Sequence, residues 1–153
     1  LFLALVVLNN LTDYSSNYLF VEGVLSMSTA FEDNRVMWRA IDSPLIHTLF
    51  YGSIILWETA ALVLCAWGTV ILVRTLKGSG AAFNKAKKIA TIGLTVSLLQ
   101  WYVAFITVGG EWFLMWQSED WNGQDAAFRM FAIMGVCFIF LSLKDDDLED
   151  AIN

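Results

Sequence analysis

Histidine occurs once in this chain of 153 residues, proline once and cysteine twice. The single histidine, His47, excludes a bis-histidine haem site within one chain, although a second copy or a partner can supply another ligand. It also leaves no close histidine pair of the kind that marks a zinc site. Cys65 and Cys137 both stand in apolar runs, where thiols behave as small hydrophobes, and they read as packing residues. No serine or cysteine forms a recognisable nucleophile pair with His47, and there is no phosphate-cradling glycine loop. The sequence therefore predicts no catalytic residue, no metal and no cofactor. Strand-like alternation, internal repeats and nucleic-acid signatures are also missing.

What is abundant is apolar. Hydrophobic residues make up 58% of the chain against 16% charged, with a mean hydropathy of +0.60, which places it in the membrane class. A bilayer core about 30 Å thick needs about 20 apolar helical residues to cross it, and several such runs are present. The net charge of -6 owes most to the tail, since five of the fifteen acids lie in the last nine residues, "DDDLEDAIN".

The expected architecture is all-α: a polytopic bundle of four transmembrane helices forming one domain. The spans fall at about 1–22, 45–73, 89–108 and 126–143, followed by an acidic tail at 144–153. Residue 1 already stands inside the apolar run "LFLALVVL", so no cleavable signal peptide is legible. Eight helical residues rise only about 12 Å. Either the first span begins upstream or it carries Asn9, Asn10 and Asp13 into the bilayer, and the first alternative is preferred. Ser43 suits a helix cap and Pro44 the first helical turn.

Arg74, Lys77, Lys85, Lys87 and Lys88 flank the flexible "GSGAAFN" with no acid among them. The positive-inside rule assigns this connection, and with it both termini, to the cytoplasm. The stretches 23–43 and 109–124 then face outward. Trp38, Trp112, Trp116 and Trp121 gather on that side, where indoles favour the membrane interface, whereas Trp67 lies toward the inner half of its span.

The stretches "NNLTDYSSNYLFVEGVLSM", "NRVMWRAI" and "GGEWFLMWQSEDWNGQDAAFR" resemble the bacterial family of predicted small integral membrane proteins of unknown function. The likeness covers nearly the whole chain. It implies a four-helix, multi-pass protein of the bacterial inner membrane, and it transfers no activity or catalytic residue.

Glu58, in "ILWETAALVL", is the residue that most needs explaining. A charge at the bilayer centre costs about 2.5–3.5 kcal/mol on insertion scales, so such a residue faces the bundle interior and has a partner. His47, Tyr51 and Glu58 share one helical face with Leu62 and Cys65. Gln100 and Glu111, eleven apart, share another with Ala104 and Thr107. The depths match to within a turn or so, so the stripes are expected to meet: Glu58 near Gln100 or Thr107, and His47 or Tyr51 near Glu111. One reading is a hydrogen-bonded clasp between helices. The other is a proton, cation or small-ligand site opening outward, with Glu58 and Glu111 as acceptors and His47 titrating. Asn10, Asp13 and Asn17 either line the same cavity or cap the first helix, with capping favoured.

In the outer connection, Gly109 and Gly110 loosen the third span, Asn122 and Asp125 resemble a helix start, and Asp125 and Arg129 are spaced for a salt bridge. The first functional expectation is a non-enzymatic, oligomer-forming or accessory subunit. Its tryptophan-rich cap (Trp112, Trp116, Trp121) would contact another copy or a second membrane protein within the lipid bilayer. The alternative is a small transporter, channel or sensor using Glu58, Gln100, Glu111, His47 and Tyr51.

Overall fold

The computed structural model describes residues 1–147. These residues are all-helical and contain no strand. The first apolar run forms α1 (Phe2–Thr12), and a break at Asp13, with φ -110° and ψ 50°, separates it from α2 (Tyr14–Leu25). Then come α3 (Pro44–Thr75), α4 (Gly80–Leu99), a π-helical segment (Gln100–Trp112) continuous with α4, and α5 (Gln124–Ser142). Three of these units are long and apolar enough to cross a membrane: Pro44–Thr75, Gly80–Trp112 and Gln124–Ser142. Large apolar side chains such as Leu56, Val63, Ile133 and Phe140 point outward along them. In water each would forgo about 1.5–3 kcal/mol of burial, whereas acyl chains accept them without cost. The chain is a polytopic helical membrane protein.

Several local expectations are corrected. Pro44 opens α3 as its first residue, but the Ser43 hydroxyl makes no cap bond. "GSGAAFN" is mostly helical: α4 starts at Gly80, nine residues ahead of the expected span, with Ser79 Oγ accepting from Ala82 N at 3.3 Å. At the start of α5, Asn122 Oδ1 accepts from Gln124 N at 3.1 Å, and Gly123 occupies the cap position. Asp125 and Arg129 form no ion pair among the described residues. The acidic tail is described only through Asp147, and 148–153 lie outside the described residues.

α3 and α4 form an antiparallel hairpin whose close approach depends on two glycines. A Cβ at Gly68 would stand 2.5 Å from Ala90 Cα, and one at Gly93 would stand 2.8 Å from Cys65 N. Small residues let backbones touch where no hydrophobic force drives helices together. α1 and α2 pack on α3, and α5 packs on α4 and the π-helical segment. One buried cluster, Leu3, Ala61 and Met134, ties α1, α3 and α5 together. A second, including Leu25, Met27, Tyr51, Ile54, Phe113 and Met115, lies toward the other end.

Each end of the bundle is closed by polar contacts. At the basic end, Lys87 bonds the Leu143 carbonyl and the Asp145 carboxylate. Asn84 and Asp145 exchange hydrogen bonds of 2.7 and 3.1 Å, and Asp147 Oδ1 accepts from Gly80 N at 2.6 Å. An acid at a helix N-terminus satisfies an otherwise orphaned N–H. The end of α5 and the start of α4 therefore share one end of the molecule.

At the opposite end the two long connections interlock. Gln117 Oε1 accepts from Phe31 N at 3.2 Å and Asn34 Nδ2 at 3.0 Å, while Thr29 and Ser118 hydroxyls meet at 2.5 Å. The Arg39 guanidinium lies against two indoles that meet edge to face, 5.4 Å from the ring of Trp38 and 4.6 Å from that of Trp112. Met27 (φ 53°) and Leu114 (φ 52°) take the left-handed conformation that glycine normally supplies. At Met27 the bonds Met27 N to Val24 O and Ser28 N to Gly23 O close α2 in a Schellman arrangement. Its side chain is buried in the core, which offsets the backbone cost.

Candidate functional site

The polar face of α3 turns inward. Tyr51 is 1% exposed, His47 2% and Glu58 2%, so Glu58 faces protein rather than lipid. Its partner comes from α1: Asn10 Nδ2 donates to Glu58 Oε2 at 2.7 Å. Tyr51 completes the chain: its single hydroxyl proton is shared between the Asn10 carbonyl at 2.8 Å and Asn10 Oδ1 at 3.1 Å. Tyrosine thus fixes which way the asparagine amide points, and the amide presents its N–H to the carboxyl. Gln100, 1% exposed, lies beside the same carboxyl, and its Nε2 makes no hydrogen bond. Two amides converge on one acid. A carboxylate is acceptor-only, so amide N–H donors match it.

The pairings Gly68 with Ala90, Gly93 with Cys65 and Glu58 with Gln100 share a single antiparallel register. Continued as α-helix, that register would carry Glu111 to His47. The π-helical segment prevents it. Thr107 Oγ1 donates to the Tyr102 carbonyl five residues back, at 2.9 Å, and Phe113 N reaches Val108 O over the same interval at 3.0 Å. An i→i+5 ladder holds more than four residues per turn, so eleven residues no longer make three whole turns. Thr107 and Glu111 are both exposed, and Glu111 does not meet the α3 stripe. His47 is likewise occupied elsewhere, its Nε2 lying 2.6 Å from the Ile41 carbonyl. The structure brings together Glu58, Gln100, Tyr51 and Asn10, and leaves His47 and Glu111 apart from them.

Beside this cluster lies a cavity of about 330 Å³. Asn10, Tyr51 and Glu58 contribute its polar wall, and Phe20, Trp101 and Phe105 its aromatic one. Ala126 and Ala127 of α5 close the far side, and Asn9, an exposed residue, marks where the cavity reaches the surface. No lysine, arginine or histidine lines it among the described residues. Nor do those residues contain a group of three or more His, Cys, Asp or Glu placed to hold a metal ion.

Sequence reasoning weighed Asn10 with Asp13 and Asn17 and favoured a capping role. Asp13 stands at the cap position of α2 but its side chain makes no cap bond, Asn10 bonds inward across helices, and Asn17, which donates to the Asp13 carbonyl at 3.0 Å, lines the cavity as well. Trp101, buried and lining the cavity, was missed; an aromatic next to a mid-span glutamine was the available signal. Of the cap tryptophans, Trp112 and Trp116 are each 47% exposed. Trp121 is half-buried against Phe20, with ring centroids 6.4 Å apart.

The family model "Predicted small integral membrane protein (DUF2165)" matches residues 1–144. The chain belongs to this family of integral membrane proteins, whose function is unknown. Comparison with curated proteins and with solved structures gives no match in either case.

Proposed function

We propose that this family member is a small four-span protein of the bacterial inner membrane that takes up a proton, cation or small cationic ligand at Glu58 from the outer side. In this reading α1 and α2 together form the first span, broken at Asp13, and both termini are cytoplasmic. The basic connection after α3 supports that orientation. So does the seating of Asp145 and Asp147 on the same end of the bundle as that connection.

The observation that carries the reading is a buried carboxyl, held by Asn10 and flanked by Gln100, at a cavity with no cationic side chain. Intramembrane acids that lack a basic partner mark ion or proton paths. Only an external cation or a proton can neutralise Glu58 there. The test is uptake into proteoliposomes under an imposed gradient of pH or monovalent cation, comparing wild type with Glu58→Gln. Uptake lost in the variant, with folding retained, supports the reading, and equal uptake in both rejects it.

A second reading is an accessory or self-associating subunit. The exposed indoles of Trp38, Trp112 and Trp116 at the cap end favour it, since aromatic residues are enriched in interface cores. Native-membrane crosslinking tests it, and a bare monomer without neighbours counts against it.

A further inference from the structure

We propose that the cavity beside Glu58 takes an organic ammonium group, with the carboxylate as counter-ion and the Trp101, Phe105 and Phe20 rings as its aromatic surround. The inference rests on the cation reading above and narrows it by chemistry. A divalent metal such as calcium needs about six to eight oxygen ligands. This cavity offers a single carboxylate; its other oxygen-bearing side chains, Asn9, Asn10, Asn17 and Tyr51, are neutral, and the described residues hold no group of three or more His, Cys, Asp or Glu placed for a metal ion.

What it offers instead is apolar and aromatic surface around a single negative group. Trp101 and Phe105 lie with ring centroids 4.8 Å apart and planes tilted by 33°, and Phe20 adds a third ring to the lining. Alkylammonium ions are held by this combination, because ring faces attract a weakly hydrated cation and apolar walls accept its carbon atoms. The cavity volume of about 330 Å³ lies at the small end of the range for small-molecule sites, about 300–1,000 Å³. Glu58 is the one charged group in a lining that is otherwise neutral and largely apolar, so the ligand has one charged end and an apolar body. Such an end is found on free small amines and on the headgroups of aminophospholipids.

Calorimetric titration of the full chain in nanodiscs of phosphatidylglycerol alone tests this, using tetramethylammonium chloride against sodium chloride at equal ionic strength. The expected result is saturable heat with tetramethylammonium at a half-saturation at least tenfold below that for sodium. Glu58→Gln should abolish it. Phe105→Leu, which removes a ring without touching the carboxylate, should weaken it at least threefold and leave any sodium binding unchanged. Adding phosphatidylethanolamine to the disc distinguishes the sources: competition identifies a lipid headgroup as the ammonium bound, and its absence identifies a free amine. Sodium heat that depends on Glu58, without tetramethylammonium heat, overturns the ammonium assignment and leaves the cation site standing. No heat from either ion overturns both.

Discussion

Replacing Asn10 by alanine removes a side chain that hydrogen-bonds α1 to the buried face of α3. Three bonds disappear: the 2.7 Å donation to Glu58, the 3.1 Å bond accepted from Tyr51, and a 3.2 Å donation to the Val6 carbonyl within α1. Tyr51 keeps its 2.8 Å bond to the Asn10 carbonyl, which alanine also provides, so its loss is small. The cost therefore rests on Glu58. Interhelical hydrogen bonds in membranes average about 0.6 kcal/mol and reach about 1.7, and a bond to a buried acid with few other partners belongs near the upper value. Asn10→Ala should destabilise the protein by about 1–2 kcal/mol. Asn9→Ala, at an exposed neighbour, should stay within about 0.5 kcal/mol of wild type. The assay is reversible unfolding in mixed micelles, run as a double-mutant cycle with Glu58→Ala. A coupling energy of about 0.6 kcal/mol or more is expected between residues 10 and 58. Equal effects of Asn9→Ala and Asn10→Ala, with no coupling, would refute the reasoning.

Other perturbations probe the frame around the site. Gly93→Leu should force α3 from α4 at the Cys65 backbone and cost about 1–3 kcal/mol or more, whereas Gly52→Ala, which meets nothing within 4 Å, should be close to neutral in the same assay. Arg39→Ala removes the cation held against Trp38 and Trp112 and should loosen the cap by about 0.5–2 kcal/mol, seen as faster hydrogen exchange over 26–43. Lys87→Ala should release the segment after Leu143 and increase its cleavage in limited proteolysis, because that lysine holds both the Leu143 carbonyl and Asp145. Unchanged cleavage would mean that the contacts of Asn84 and Gly80 suffice to hold it.

The three long apolar helices were legible from their apolar length, helped by Pro44 at the start of α3 and Asn122 with Asp125 at that of α5; the lysines before Ile89 marked only where the apolar run begins, inside a helix that starts at Gly80. The inward face of α3 was legible for a similar reason, since His47, Tyr51 and Glu58 recur at helical spacing and polar groups avoid lipid. Glu111 was misplaced because helical arithmetic assumes 3.6 residues per turn, and no residue type in "QWYVAFITVGGEW" announces the i→i+5 ladder that replaces it. The role of Asn10 was hidden by distance: a polar residue in an apolar run is visible, but its partner 48 residues away is chosen by tertiary packing. The cap motif yields the reverse lesson. Much of its unusual composition serves to lock two loops together, as Gln117, Ser118 and Trp112 do, and implies no ligand of its own.

The central claim is that Glu58 receives a cation from the cavity. Infrared difference spectroscopy of the reconstituted protein, recorded as tetramethylammonium or sodium is added, reads that carboxyl directly. The account predicts a saturable change in the carboxyl and carboxylate bands that vanishes in Glu58→Gln. Difference spectra identical in wild type and Glu58→Gln would contradict it.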